Sequence, residues 1–97
     1  MTERAKAVPT VRIDNGRVMA TEWAFAPGAE TGWHRHGHDY VVVPLTDGEL
    51  LVEQPDGATV TARLDQGIPY SREVGVEHNV VNAGSERLVF LEIEITG

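Results

Sequence analysis

Residues 87–95 read Arg-Leu-Val-Phe-Leu-Glu-Ile-Glu-Ile, and the alternation in this stretch decides the fold class. Val89, Leu91, Ile93 and Ile95 share one parity, and Glu92 and Glu94 share the other. Successive side chains of a strand point to opposite faces, so a two-residue repeat reads as a half-buried strand, whereas a helix repeats at about 3.6 residues. On this reading the apolar parity faces the core and the two glutamates face water. Thr59–Leu64 repeats the pattern, with Val60, Ala62 and Leu64 inward. No apolar period near 3.6 persists for the roughly three turns of an average helix.

Working outward, turn signals punctuate the chain at short intervals: Asn15-Gly16, Pro27-Gly28, Asp47-Gly48, Pro55-Asp56-Gly57, Gln66-Gly67 and Ala83-Gly84. Each separates segments rich in β-branched and aromatic residues. Asn15-Gly16 predicts a hairpin joining Val11–Asp14 to Arg17–Phe25, and Pro55-Asp56-Gly57 predicts another joining Glu49–Gln54 to Thr59–Leu64. Many short antiparallel strands in a small chain imply an all-β sandwich, jelly roll or small barrel, whose closure removes exposed edges.

At 97 residues the chain has the size of one domain. Residues 10–97 are expected to form it, behind a flexible lead-in over residues 1–9. A chain this short has a thin stability margin, so a bound metal or a second subunit would help, and a homodimer is expected. A net charge of -7 with eight scattered Lys and Arg argues against nucleic acid as a partner. No apolar run approaches the ~20 residues of a membrane helix, and the N-terminal segment lacks the signal-peptide pattern, so a cytoplasmic protein without a membrane partner is expected. The absence of cysteine excludes disulfides, thiolate catalysis and zinc-finger sites, and leaves nitrogen and oxygen as the only metal donors.

Three of the four histidines lie together in His34-Arg35-His36-Gly37-His38, which runs into Asp39-Tyr40. In a strand, His34, His36, His38 and Tyr40 share a face, opposite Trp33, Arg35 and Asp39. Two imidazoles spaced this way chelate one ion through neutral ring nitrogens at ~2.0–2.1 Å in the zinc case, with a further ligand supplied from elsewhere in the fold. His78 is the remaining histidine.

These residues resemble the cupin superfamily. Its first motif, a glycine followed by His-x-His, a glutamate and a second glycine, is matched at Gly28, His34, His36 and Gly48. Its second is matched at Gly67, Gly75, His78 and Asn82. The runs Trp33–Gly48 and Gly75–Asn82 are most similar to small bacterial cupins labelled for β-alanine degradation. The resemblance implies a small antiparallel jelly-roll β-barrel with His34, His36 and His78 as ligands of one divalent ion. Two positions depart from the pattern: the glutamate falls on Tyr40 or Val41, and the proline of the second motif is Glu73. Tyr40 is favoured by parity as a phenolic ligand or a hydrogen-bonding group beside the ion, and His38 competes with it.

Without the carboxylate, three neutral imidazoles leave the ion's charge uncompensated, which favours an anionic small molecule such as a carboxylate or 2-oxo acid. Iron, nickel, zinc or manganese fits the implied site, and copper suits imidazole equally. The leading expectation is an oxidoreductase of dioxygenase type acting on a small organic acid or carbonyl compound, with no general base identified. A non-catalytic metal- or metabolite-binding module and a Lewis-acid isomerase or lyase stay open. Arg72 is a candidate clamp for a substrate carboxylate, and Arg35 has the parity of the wrong face. Glu73 and Glu77 read as solvated turn residues. Trp23, Phe25, Trp33, Tyr70 and Phe90 read as core or pocket wall.

Overall fold

A computed structural model describes residues 3–97. It contains nine strands: β1 (Val8–Asp14), β2 (Val18–Phe25), β3 (His34–Arg35), β4 (Tyr40–Pro44), β5 (Gly48–Glu53), β6 (Thr59–Leu64), β7 (Tyr70–Arg72), β8 (Glu77–Asn82) and β9 (Leu88–Ile95). All named pairings are antiparallel, in a five-stranded sheet of order β1-β2-β9-β4-β7 and a four-stranded sheet of order β3-β8-β5-β6. This is the all-β jelly roll expected, with one correction: hydrogen bonding leaves the sheets as two separate layers and does not close them into a barrel. Among the described residues no helix is long and apolar enough to cross a membrane.

Both predicted hairpins form. Between β1 and β2 the Asn15 side chain accepts hydrogen bonds from the backbone N–H groups of Arg17 and Val18, and Gly16 takes the left-handed φ of 81° that the turn requires. Between β5 and β6, Gln54 N–H donates to the Ala58 carbonyl, and the strands stay in register from Gly48↔Leu64 to Glu53↔Thr59.

The core lies between the layers. Phe25, Tyr40, Val42 and Phe90 of the five-stranded sheet pack with Leu50, Leu64 and Val80 of the other. Phe25 and Phe90 meet at a ring separation of 5.4 Å. Leu88, Ala7 and Ala29 complete the cluster.

This core overturns the expected orientation of β9. Register pairs Leu88 with Phe25, Phe90 with Trp23 and Pro44, and Glu92 with Thr21 and Val42, so the glutamate parity is the one facing inward. Val89, Leu91 and Ile93 lie on the outer face instead, beside Ala24, Ala20, Val41 and Val43. The cause lies at the start of the strand. Leu88 and Phe90 share the parity of Glu92, and burying a leucine and an aromatic ring outweighs the cost of turning one carboxyl inward.

Of the expected lead-in, residues 1 and 2 lie outside the described residues. Ala7 is buried, with its N–H donated to the Glu30 carbonyl, and Glu30 N–H donates to Ala5 in return. Val8 and Pro9 already belong to β1.

Candidate metal centre

β3 is only two residues long, yet its pairing with β8 sets His34 directly across from His78. His36 lies just past β3 and stays in place through two backbone bonds: its N–H donates to the Val76 carbonyl, and its carbonyl accepts from Gly75 N–H, both at 2.8 Å. Gly75 makes this close approach with φ at 97°, a left-handed conformation that disfavours a side chain.

The three imidazoles converge. His36 Nε2 lies 3.0 Å from His34 Nε2 and 3.1 Å from His78 Nε2, and one ring nitrogen from each residue falls within 4.8 Å of the others. His34 Nδ1 is 2.8 Å from the Gly32 carbonyl, which can only accept, so the proton sits on Nδ1 and Nε2 presents a bare lone pair. Burial, reinforced by the neighbouring imidazoles, holds His36 and His78 down to about 4, so both rings are neutral at physiological pH. Neutral nitrogen donors facing a common point fit a divalent first-row ion.

Tyr40 opens β4 with its ring stacked on His36, at a centroid separation of 3.9 Å and 23° between planes. Burial pushes its phenol up to about 12, so it stays protonated and backs the imidazole as a neutral ring. His38 is not brought to the cluster. The chain bends at Gly37-His38, the two-residue alternation is lost there, and the His38 side chain is exposed. Val41, the other position considered for the missing glutamate, lies on the outer face beside Ile93.

The loop carrying His34 is held by a residue that the sequence reading passed over. Asn79 is 2 % exposed. Its side-chain oxygen accepts from Gly32 N–H at 2.9 Å, and its amide donates to Glu30 and Glu53, each at 2.8 Å. A polar residue directly after His78, leading an apolar run, was the available signal, since a buried amide needs partners. Asn82 of the second motif is buried as well, but it clamps the backbone of Phe25, Gly84 and Glu86. Of the motif glycines, Gly28 and Gly67 take left-handed turn conformations, and Gly48 leaves the space filled by the Leu88 side chain.

Beside the histidines opens a cavity of about 400 Å³, walled by both sheets. His34 and His78 lie on one wall, and Trp23, Tyr70, Phe90 and Glu92 on the other. Arg72 also lines it, with its guanidinium 4.7 Å over the Tyr70 ring and bonded to the Ser71 carbonyl. Glu77 reaches the lining, whereas Glu73 and Arg35 are exposed outside it. Trp33, expected in the core or pocket wall, is instead 57 % exposed. Glu92, expected in water, is 8 % exposed, and burial together with the charge of Glu94 pushes its carboxyl up to about 7.

Comparison with known proteins agrees with this fold. The cupin domain family matches residues 21–94. The chain is 62 % identical over 95 residues to the beta-alanine degradation protein BauB of Pseudomonas aeruginosa, covering 98 % of this chain and 99 % of that one. A crystal structure of a cupin domain from Bordetella pertussis superimposes with a TM-score of 0.95 at 57 % identity, over the full length of both chains. A conserved protein with a double-stranded β-helix domain from Klebsiella pneumoniae shares the fold at 20 % identity, with a TM-score of 0.79 over all of this chain and 83 % of that one.

Proposed function

We propose, from the premise that this chain belongs to the cupin family, that it is an oxidoreductase of dioxygenase type acting on a small organic acid or carbonyl compound. His34, His36 and His78 hold its single divalent ion. The observation that carries this reading is the convergence of three Nε2 atoms beside a largely apolar cavity of small-molecule size. When bound, such an ion supplies Lewis acidity and, if it is iron, a one-electron couple that lets dioxygen take electrons from an organic substrate. A dioxygenase places both oxygen atoms in its product and needs no further reductant.

The protein's own residues prepare the site. Gly32 fixes the tautomer of His34, Tyr40 holds the plane of His36, and apolar side chains such as Val42, Val52 and Val80 limit water around the reacting groups. With no carboxylate among the three histidines, a small anionic ligand is favoured there. The name of the Pseudomonas relative supports a short acid of β-alanine breakdown as the substrate class. The reading includes a homodimer. Val8 and Ile13, exposed on edge strand β1, support it by continuing the apolar outer face of β2, β9 and β4.

Elemental analysis of the untagged protein beside His78→Ala, followed by oxygen uptake after anaerobic loading with Fe(II), tests the reading. Substantial metal in the parent and several-fold less in the variant is expected, with oxygen consumed on at least one small acid. Equal occupancy in both proteins removes the site. No oxygen uptake across the panel removes the dioxygenase. Turnover without oxygen would point to a Lewis-acid isomerase or lyase, and a ligand that raises Tm but is recovered unchanged would point to a binding module.

A further inference from the structure

Glu92 is the one carboxyl that the core turns inward from the middle of β9, and nothing in the protein answers it. Among the described residues neither of its oxygens has a hydrogen-bond or ion-pair partner, and the only charge acting on it strongly is the like charge of Glu94. A buried polar group left unpaired is costly, and native structures seldom tolerate one without a role. The groups facing it are Tyr40 of β4, Tyr70 and Arg72 of β7, and His34 and His78 across the cavity. Arg72 is the cation among them, and it is committed to the Tyr70 ring and the Ser71 carbonyl.

A second unanswered group lies on the same wall. Trp23 Nε1 is a buried donor with no partner, and Trp23 pairs in register with Phe90, the inward residue next to Glu92 along β9. Of the two, Nε1 is closed off from the cavity, and Glu92 is the group that this wall offers to whatever fills it.

We propose that Glu92 recognises an ammonium group on the bound small molecule, across the cavity from the imidazoles. The ligand class is therefore a short amino-bearing acid, with its anionic end toward the histidines and its amino end toward β9. An ammonium fits better than a hydroxyl because a charge-assisted hydrogen bond is about twice as strong as a neutral one and also neutralises a carboxylate that burial disfavours. The elevated pKa of Glu92 agrees with a carboxyl that lacks a cation until a ligand brings one. This assignment rests on the cavity being the substrate pocket, and its test is separable from that of the metal.

The chain has two tryptophans, so Trp33→Phe leaves Trp23 as the only indole and makes its fluorescence a reporter of the cavity. Titrations of that protein with β-alanine, β-hydroxypropionate and propionate, repeated with Glu92→Gln added, read the selectivity, and metal content is measured alongside. β-Alanine is expected to bind roughly tenfold or more tightly than propionate, with the preference collapsing in Glu92→Gln while metal content holds. Infrared difference spectra of the unmutated protein supply a readout that does not depend on the variant folding: β-alanine should remove a protonated carboxyl band that propionate leaves in place. Equal binding of the three acids, no binding of any of them, or a preference retained in Glu92→Gln overturns the assignment. β-Hydroxypropionate binding as tightly as β-alanine overturns the ammonium. Selectivity intact in a protein that holds no metal would sink the metal centre and leave Glu92 standing.

Discussion

Burying Glu92 makes stability depend on pH in a direction opposite to that of most carboxylates. Its carboxyl titrates at about 7 in the folded chain against an ordinary value of 4.5, so between these limits the folded state holds a proton that the unfolded state has lost. The stability gained from that proton is fully present below the unfolded value and disappears as pH rises through the folded one. Glu92→Gln lacks this titration. Urea unfolding at about pH 5 and about pH 8 should therefore show the variant gaining on the parent toward high pH, by up to about 3 kcal/mol. A difference that stays constant across the range would contradict the burial. The histidines were legible in the sequence because three of a scarce residue fell at strand spacing and a fourth at the second motif. Glu92 was not, because two glutamates alternating with isoleucines look like the wet side of a strand unless Leu88 and Phe90 are weighed with them.

At the level of elements, turn chemistry was the dependable signal and parity the fragile one. Asn15-Gly16 and Pro55-Asp56-Gly57 gave both hairpins because the residues themselves satisfy the turn. Parity failed in two places for two reasons. β9 lies between β2 and β4 and carries large apolar side chains on both faces, so alternation alone could not say which side is covered. The histidine stretch was read as one strand from His34 to Tyr40, whereas it is two residues of β3, a bend, and then β4. His36 keeps its place through backbone bonds to Gly75 and Val76, so the turn before β8 is part of the candidate metal centre. Gly75→Ala forces a side chain into the left-handed region at a cost of about 1–2 kcal/mol. The expected result is a lower Tm together with reduced metal occupancy by elemental analysis, and a lowered Tm with full occupancy would separate the turn from the site.

For the molecule as a whole, the sequence could specify an all-β fold with two hairpins but not whether the layers join, because closure depends on long-range pairing that no local pattern reports. The layers stay open, and their two sides differ in character. The inner face of the five-stranded sheet lines the cavity, and its outer face is largely aliphatic. If a second copy covers that outer face, Val8→Glu combined with Ile13→Glu should convert a dimer to a monomer by light scattering and leave the fold intact by circular dichroism, since both side chains are about half exposed. A parent that is already monomeric would remove the dimer.

The bonds that Asn79 distributes bear on how this protein should be handled. Arg4 reaches Glu53 at 2.8 Å and Glu30 at 3.4 Å, Lys6 reaches Glu30, and both glutamates hold the amide that steadies the loop ahead of His34. What reads as an expendable leader is thus a mooring line to the imidazoles. Trimming the chain to start at Ala7, or fusing a purification handle close to Arg4, should loosen the grip on the ion although no ligand is touched. Comparing metal retention during dialysis for trimmed and untrimmed protein would show how far that tension carries.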